Sequence, residues 1–501
     1  MQSPSVAQAG VGAASIRGRS LSSRPPCRAR LAFIVLACGG LAIGGCALTP
    51  KGTKAERDRL AVAGVPYEPR FEDRELPDLP AEPTWRDVLH RAFLANGDLE
   101  GAYFDWKAAV QRIDIASAYP NSNVQLGYSY MFSSERMKTF DRQTFSVGFD
   151  PAVNLSFPTK VAQKGKVALD EARASGERFR AAKFDLQRRV LTAWAEYTLM
   201  GDRLRVQREQ LAILGLSADA IRARAQAGGV QRDLLRTETS LRRAEDAIRN
   251  TEAELAASRA VLNGLLGREP NAPLAPPAAM PAVRSMSVSD DALLAAAAEQ
   301  NPELSALSHQ VQGRSDALEL ARMQWIPDIN PSAMFTGGIS QAIGATIMLP
   351  TTISEIRGGI REAEAILRGS EAMLRQARHD RGASVVSTLV ALRNSERQAT
   401  LFETGIVPLA ERVLVNARQS YAAGAGTYLD LLDAQQTLLD ARLVVAEARA
   451  AREKRLAELE ALMGTDIETL TDGAPPNSTS PPLTMNAESA TPSRKETRHD
   501  R

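Results

Sequence analysis

The sequence predicts a mainly α-helical protein built from two copies of a long coiled-coil hairpin, each copy carrying a pair of β-strands. Two observations lead to this fold class. The second half of the chain repeats the first, and apolar residues recur in a seven-residue pattern along stretches almost free of Pro and Gly. Aromatic residues make up only 5% of the 501 residues, which is typical of extended helices rather than of stacked globular domains.

The internal repeat is clearest at one end of each hairpin. Residues 229–267 align with residues 426–464 without a gap, at an offset of 197 residues. The alignment matches Asp233-Leu234-Leu235 with Asp430-Leu431-Leu432, and Gly267 with Gly464. Upstream, Asn96-Gly97-Asp98-Leu99 matches Asn301-Pro302-Glu303-Leu304 at a slightly different offset. The chain is therefore a tandem duplication.

The two units, 84–272 and 289–466, have the same predicted order of elements and are joined by a Pro-rich linker at 273–288. A helical stretch comes first (84–118 and 289–324), followed by a strand pair, a long helix, a Gly-rich turn and a return helix. The predicted strands are 124–132 and 144–157 in the first unit, and 332–336 and 343–349 in the second. The second pair is predicted to be shorter than the first.

The long helices carry the strongest pattern in the chain. An apolar stripe with the 3.5-residue spacing of a coiled coil runs through Leu186, Val190, Ala193, Tyr197, Leu204, Leu211, Leu214 and Ile221. A helix over 161–224 is about 100 Å long, which is too long to be buried in one globule. A soluble coiled coil would explain this stripe but not the strands, the duplication or an export signal. Pro408 falls inside the second long helix and is predicted to bend it.

The N-terminal 1–45 has the layout of a secretory signal. Several arginines precede an apolar run at 31–43, which is too short to span a membrane comfortably. Ile43-Gly44-Gly45-Cys46 resembles the bacterial lipobox, so we predict that Cys46 is the lipidated first residue of the mature protein. An ordinary signal peptide with a chance cysteine is the alternative.

The segments that flank the two units are predicted to lack regular structure. Prolines are frequent in 46–83, which we expect to run extended along the helical body. The tail at 467–501 is rich in Pro, Ser and Thr without periodicity and is expected to be disordered. No cysteine follows Cys46, which excludes a disulfide framework in the body.

The sequence contains no recognisable catalytic, cofactor or metal site. The four histidines are isolated, without the i,i+4 spacing or neighbouring cysteines of a metal site: His90, His309, His379 and His499. A net charge of +2 does not favour nucleic acid as a partner. We therefore expect no enzyme activity and no cofactor, and we assign the many polar helix residues to solvated coiled-coil faces.

The Gly-rich turns resemble those of the outer-membrane efflux protein family typified by TolC. The resemblance rests on 421–435 (YAAGAGTYLDLLDAQ), on 228–235 (GGVQRDLL) and on Asn301-Pro302-Glu303-Leu304, and it covers 80–465. It implies a homotrimer in which three chains share one outer-membrane β-barrel and one periplasmic α-barrel. It also implies docking onto a periplasmic adaptor and an inner-membrane transporter.

The strand count supports an oligomer independently of the resemblance. A membrane barrel needs about eight or more strands, so the four strands of one chain cannot close one. An open sheet edge in lipid would leave backbone groups without hydrogen bonds. Several chains must therefore share a barrel, and the Gly-rich turns, at the far ends of the hairpins, are expected to face the periplasm.

The resemblance also implies two kinds of site at the hairpin ends. The turns would contact the adaptor through Gly228, Gly229, Val230, Gln231, Gly424, Gly426 and Thr427. Val230 lacks the hydroxyl of Thr427, which weakens the expectation for the first turn. Leu429 and Asp433 would line a periplasmic constriction, although a plain solvated carboxylate is an equally good interpretation of Asp433. The position that matches Asp433 in the first unit is Arg236.

A periplasmic adaptor protein is the alternative function, since adaptors are also exported and built on a coiled-coil hairpin. Two hairpins and membrane-length alternating strands argue against it. The cargo is left open among metal ions, drugs and polypeptides, because selection is generally made by the transporter.

Overall fold

The computed structural model describes most of the chain from residue 48 to residue 468. The described residues are 48–119, 124–132, 136–149, 156–226, 231–277, 284, 288–336, 340–349 and 351–468. The predicted signal segment, Cys46 and the C-terminal tail from 469 onwards lie outside them. Within these ranges, no helix combines the length and the apolar composition that crossing a membrane requires.

The first unit consists of two short helices, a strand pair, a long helix and a return helix, preceded by an N-terminal helix. In chain order these are α1 (Thr53–Gly64), α2 (Trp85–Ala95), α3 (Gly97–Ser117), β1 (Val124–Tyr130), β2 (Gln143–Phe149), α4 (Pro158–Gln226) and α5 (Gln231–Leu265). The long helix predicted at 161–224 is confirmed as α4.

The second unit repeats this order. It consists of α6 (Asp290–Gln300), α7 (Pro302–Arg322), β3 (Asp328–Thr336), β4 (Ser340–Met348), α8 (Ile353–Leu401), α9 (Val407–Ala422) and α10 (Tyr428–Met463). The helix lengths match between units: α2 and α6 have 11 residues, and α3 and α7 have 21. Gly267 and Gly464 both follow the return helices in the left-handed conformation, with φ of 61° and 70°, which glycine adopts without steric cost.

Two predictions about the helices need correction. The stretches 84–118 and 289–324 are each divided into two helices, because the side chains of Asn96 and Asn301 cap the second helix of each pair. The N-terminal segment 46–83, predicted to be extended, contains the 12-residue helix α1. Its prolines lie on either side of this helix and leave the interior free of helix breakers.

The strand pairs also differ from the prediction. β3 and β4 have nine residues each and are longer than the predicted strands 332–336 and 343–349, whereas β1 and β2 have seven described residues each and border residues outside the described ranges. Pro331 and several Gly and Ser residues weaken the alternation in the second pair, and pairing with neighbouring strands outweighs their low strand propensity. The last part of the strand predicted at 144–157 falls on residues that lie outside the described ranges.

The second long helix has one irregularity, directly before Pro408. A π-helical turn at Phe402–Ile406 joins α8 to α9, and the Val407 amide donates to the Phe402 carbonyl five residues back. α4 is continuous over 69 residues, whereas α8, the π turn and α9 have 49, 5 and 16. The predicted bend at Pro408 corresponds to this turn.

The four strands form one antiparallel sheet in the order β1-β2-β3-β4. β1 pairs with β2 and β3 pairs with β4, while the β2–β3 pairing joins the two units and places Thr144 opposite Thr336. Among the described strands, β1 and β4 each have one edge without a partner.

The helices pack around α4. This helix contacts α3 and α5 of its own unit and α7 and α10 of the second unit, whereas α8 packs against α6, α7 and α10, all from its own unit. The N-terminal segment and α2 cover one face of α3 and α4, where Tyr67 and Trp106 pack against Phe179. The two hairpins are therefore held together mainly through the first long helix.

Candidate functional site

The second hairpin turns between Ala422 and Tyr428, and α10 begins at a capping box. The Thr427 hydroxyl accepts a hydrogen bond from the Asp430 amide (3.2 Å), and the Asp430 carboxylate accepts from the Thr427 amide (3.0 Å) and hydroxyl (2.7 Å). The two bonds from Thr427 hold the pKa of Asp430 below its ordinary value. Thr427 followed three residues later by Asp430 is also the sequence pattern of a cap, so the sequence predicts this arrangement.

Two glycines make the turn sharp. Gly424 has a φ of 75°, in the left-handed region. At Gly426 a Cβ atom would lie 3.0 Å from the Ser420 side chain and 3.2 Å from its carbonyl carbon. The Ser420 carbonyl accepts hydrogen bonds from the amides of both Ala425 and Gly426. The chain therefore reverses tightly enough to place Thr427 at the start of α10.

The turn of the first hairpin is only partly described. Gly228, Gly229 and Val230 lie outside the described residues, whereas Gln231 is the exposed first residue of α5. Adaptor contact at either turn therefore stays a prediction.

Leu429 and Asp433 are four residues apart on α10 and share one exposed face. The Leu429 side chain is 56% exposed. Arg236, at the matched position of α5, is also exposed, and within the described residues neither Arg236 nor Asp433 forms an ion pair. The structure thus leaves both charges open to solvent or to other molecules.

The opposite face of α10 is fixed by an apolar cluster. Tyr428, Leu431, Ala434 and Leu438 are buried against Leu414 of α9, and Ile221 of α4 joins the same cluster. Because these residues hold the start of α10 in place, the exposed Leu429 and Asp433 have a defined position relative to both long helices.

The long helices differ in exposed apolar surface. Along α8 and α9 the large apolar side chains left exposed are Ile353, Ile366, Met373, Val386, Val390, Leu401, Leu409, Val413 and Val415. In the described part of α4, Leu216 is the only one. We call this set of exposed apolar side chains along α8 and α9 the open flank. The open flank and the unpaired edges of β1 and β4 are surfaces that are left uncovered in a single chain.

Charged groups buried between elements were missed by the sequence analysis. Glu460 of α10 is 1% exposed and accepts a hydrogen bond from Arg284 of the linker at 2.9 Å. Arg284 also donates to Glu453 at 3.0 Å, and its carbonyl accepts from Arg452. These residues are far apart in sequence, so no local pattern signals the contact. The network fixes the linker to the second hairpin.

Asp170 of α4 is a second buried carboxyl group, located where α4 meets α7. Burial, followed by a hydrogen bond with Asp316 of α7, raises its pKa to about 6, and Arg173 at 3.1 Å opposes this shift. The contact joins the two units. No sequence motif indicated it.

The described residues contain no group of three or more His, Cys, Asp or Glu side chains placed to hold a metal ion. His309 is half-buried, and this burial, with Arg173 nearby, lowers the pKa of its imidazole. It lies near charged groups of α1 and α4 and has the surroundings of a structural residue.

These features define a class of protein: a duplicated helical hairpin with a four-stranded sheet whose free edges need partners. The model of the family described as outer membrane efflux protein matches residues 88–268 and 293–465. The chain belongs to this family, and the predicted resemblance is confirmed. It is an outer-membrane efflux channel protein that extends into the periplasm rather than a periplasmic adaptor, and its family is one of channels rather than of enzymes.

Solved structures show the same fold. One is a membrane protein from Pseudomonas aeruginosa, with 19% identity over 78% of this chain and 97% of that one, and a TM-score of 0.65. Another is VceC from Vibrio cholerae, with 18% identity over 76% and 96% of the two chains, and a TM-score of 0.64. The open state of MtrE from Neisseria gonorrhoeae has 19% identity over 77% and 90%, and a TM-score of 0.64. A comparison with curated proteins gave no match.

Proposed function

We propose that three copies of the chain close into one channel that is the passive exit duct for cargo delivered by a periplasmic adaptor and an inner-membrane transporter. The observation that carries this proposal is that both outer strands, β1 and β4, have free edges. Strands in lipid must be paired on both edges, and a membrane barrel needs about eight strands or more. Pairing β4 of one copy with β1 of the next meets both requirements.

The open flank supports the same assembly. Fully burying one Val, Leu, Ile or Met side chain contributes about 1.5–3 kcal/mol, whereas association costs about 4–15 kcal/mol. Burial of about half of the open flank in each contact would therefore supply energy comparable to this cost. The pairing of the sheet edges then needs only to set the register between neighbouring copies.

The test is to extract the full-length protein in mild detergent and to measure its mass and its conductance in planar bilayers. We expect a trimer that survives gentle heating in detergent and that inserts as pores of uniform conductance. A monomeric protein that never conducts would contradict the proposal.

The hairpin ends would form the periplasmic mouth. Three copies of Asp433 would make a ring of carboxylates, with Leu429 as an apolar constriction beside it and the two turns in contact with the adaptor. Carboxylates about 6 Å apart repel by roughly 0.7 kcal/mol in water and about 3 kcal/mol at an effective dielectric of 20, so such a ring attracts cations. Asp433→Ala should raise conductance and weaken block by divalent cations in single-channel recordings. Unchanged conductance and block would make Asp433 an ordinary solvated residue.

Cys46 would anchor each chain to the membrane through a lipid. The small residues that precede it support this assignment. Mass spectrometry of the mature N-terminal peptide should show a lipidated Cys46, and an unmodified chain that starts elsewhere would rule the anchor out.

A further inference from the structure

A cavity of about 390 Å³ lies where α3, α4 and α7 meet, near the strand end of the helices. Its apolar lining consists of Ala109, Ala116, Val167, Ala168, Gly313 and Leu320. Its exposed lining residues are mainly charged. They include one cation from each helix: Arg112 from α3, Lys164 from α4 and Arg314 from α7.

The cations around this cavity are not neutralised within the chain. Across the described residues, no ion pair involves Arg112, Lys164 or Arg314. The one carboxylate in the lining, Glu171, is already paired with Arg178 at 2.9 Å. Three cations on three different helices therefore surround an apolar pocket with an excess of positive charge.

The cavity opens on the face of the helices away from the N-terminal segment. Lys166, only two residues from Lys164, lines a different cavity that is bordered by Leu48, Thr49 and Pro50. The two lysines thus point to opposite faces of α4. In the channel proposed above, the N-terminal segment must lie outside the ring, because inside it would obstruct the duct. The face that carries Lys164 then lines the duct.

We propose that this cavity is a binding site for amphipathic organic anions that pass through the channel. Guanidinium groups pair with carboxylates and sulfonates through two parallel hydrogen bonds, and the apolar base accepts a hydrocarbon or aromatic body. A volume of about 390 Å³ lies within the range of small-molecule sites. A trimer holds three such sites around the duct. Only the assignment to the duct rests on the proposed function; the pocket itself belongs to one chain.

The first measurement is equilibrium binding of 1,5-naphthalenedisulfonate to the full-length detergent-solubilised protein. Removing one cation, as in Lys164→Gln, should weaken binding by about two- to fivefold, the usual effect of one exposed charge pair. The triple variant Arg112→Gln, Lys164→Gln, Arg314→Gln should weaken it by about tenfold or more. Lys166→Gln is the matched control, since it removes the same charge from the other face, and it should leave binding within about twofold.

The second measurement is block of single-channel current by the same anion, with a bis-quaternary ammonium naphthalene as the cationic comparison. The parent channel should be blocked by the anion, and the triple variant should require about tenfold more anion while its block by the cation stays the same. If the triple variant binds the anion and is blocked by it as strongly as Lys166→Gln, the site is refuted. The proposed channel would not be affected by that result. Binding that the triple variant loses, in a protein that never conducts, would support the site and refute the channel.

Discussion

The two long helices come from the same duplicated unit but have different surroundings. α4 contacts helices of both units and, in its described part, exposes one large apolar side chain, Leu216. The rod formed by α8 and α9 packs mainly against its own unit, with Ile221 of α4 as one contact from the first unit, and exposes the open flank. Because duplication gives two equivalent rods, this difference arises from their positions in the chain: the first is central and the second is at an edge.

The comparison indicates where a second copy would make contact in the proposed ring. Ser217 of α4 and Val413 of α9 both lie near the hairpin ends. Ser217 accepts a hydrogen bond from Gln435 of α10 at 3.3 Å, whereas Val413 is 53% exposed. α10 therefore contacts this part of α4, whereas the side of α9 that carries Val413 is exposed in a single chain. A ring closes when the next copy covers it.

The largest effect is expected from placing charge on the open flank. Leu409→Asp together with Val413→Asp should abolish the trimer, because burying two carboxylates without partners costs far more than the apolar contacts contribute. Native mass spectrometry of the extracted protein measures the result. Val62→Asp, at an apolar residue of α1 that is 78% exposed, is the control and should remain trimeric. A double variant that still forms trimers would show that the open flank is not an interface.

A smaller effect separates the central rod from the edge rod. Leu186→Ala, at a residue of α4 that is 2% exposed, leaves a cavity and should cost about 2–5 kcal/mol in any assembly state. Val390→Ala, at a residue of α8 that is 64% exposed, should lower only the temperature at which the trimer dissociates. Thermal unfolding of trimers and of dissociated subunits distinguishes the two. An unchanged dissociation temperature of the Val390→Ala trimer would show that Val390 is not part of the contact between copies.

The smallest expected effect concerns the contact between α4 and α7. An unfolded Asp titrates near 3.9, whereas Asp170 in the folded chain has a pKa of about 6. The native state therefore binds the additional proton between these values, and this stabilisation is lost as the pH rises through about 6. Asp170→Asn stays neutral, so its melting temperature should rise relative to that of the parent between pH 4 and pH 7. If the melting temperatures of the parent and of Asp170→Asn changed with pH in the same way, Asp170 would not be buried as a neutral group.

The sequence predicted the repeat, the hairpins and the capping at Thr427 and Asp430, because each depends on residues close together in the chain or on an alignment of the two units. It did not predict the pairing of Arg284 with Glu460, since buried ion pairs between distant segments have no local pattern. It also treated the two long helices as equivalent. The exposed positions of Leu409 and Val413 follow from packing order, which a duplicated sequence does not contain.

The second strand pair, which is longer than the sequence predicts, illustrates the same limit. Pro331 and its neighbours have weak strand propensity, and the β2–β3 pairing compensates for it. The hairpin turns were located from Gly and Thr patterns, whereas the role of Leu429 and Asp433 depends on copies that one chain does not contain.

The most direct test of ring closure is a cross-link between the open flank and the opposite edge of the next copy. Leu409 of α9 is 57% exposed, and Asp246 of α5 lies on the face away from Thr237 and Ile248, which are buried. Both are at similar distances from their hairpin ends. A chain with Leu409→Cys and Asp246→Cys, treated with a short bifunctional thiol reagent, should give covalent dimers and trimers and nothing larger. A ladder that extends beyond three chains, or no product between chains, would contradict a closed trimeric duct.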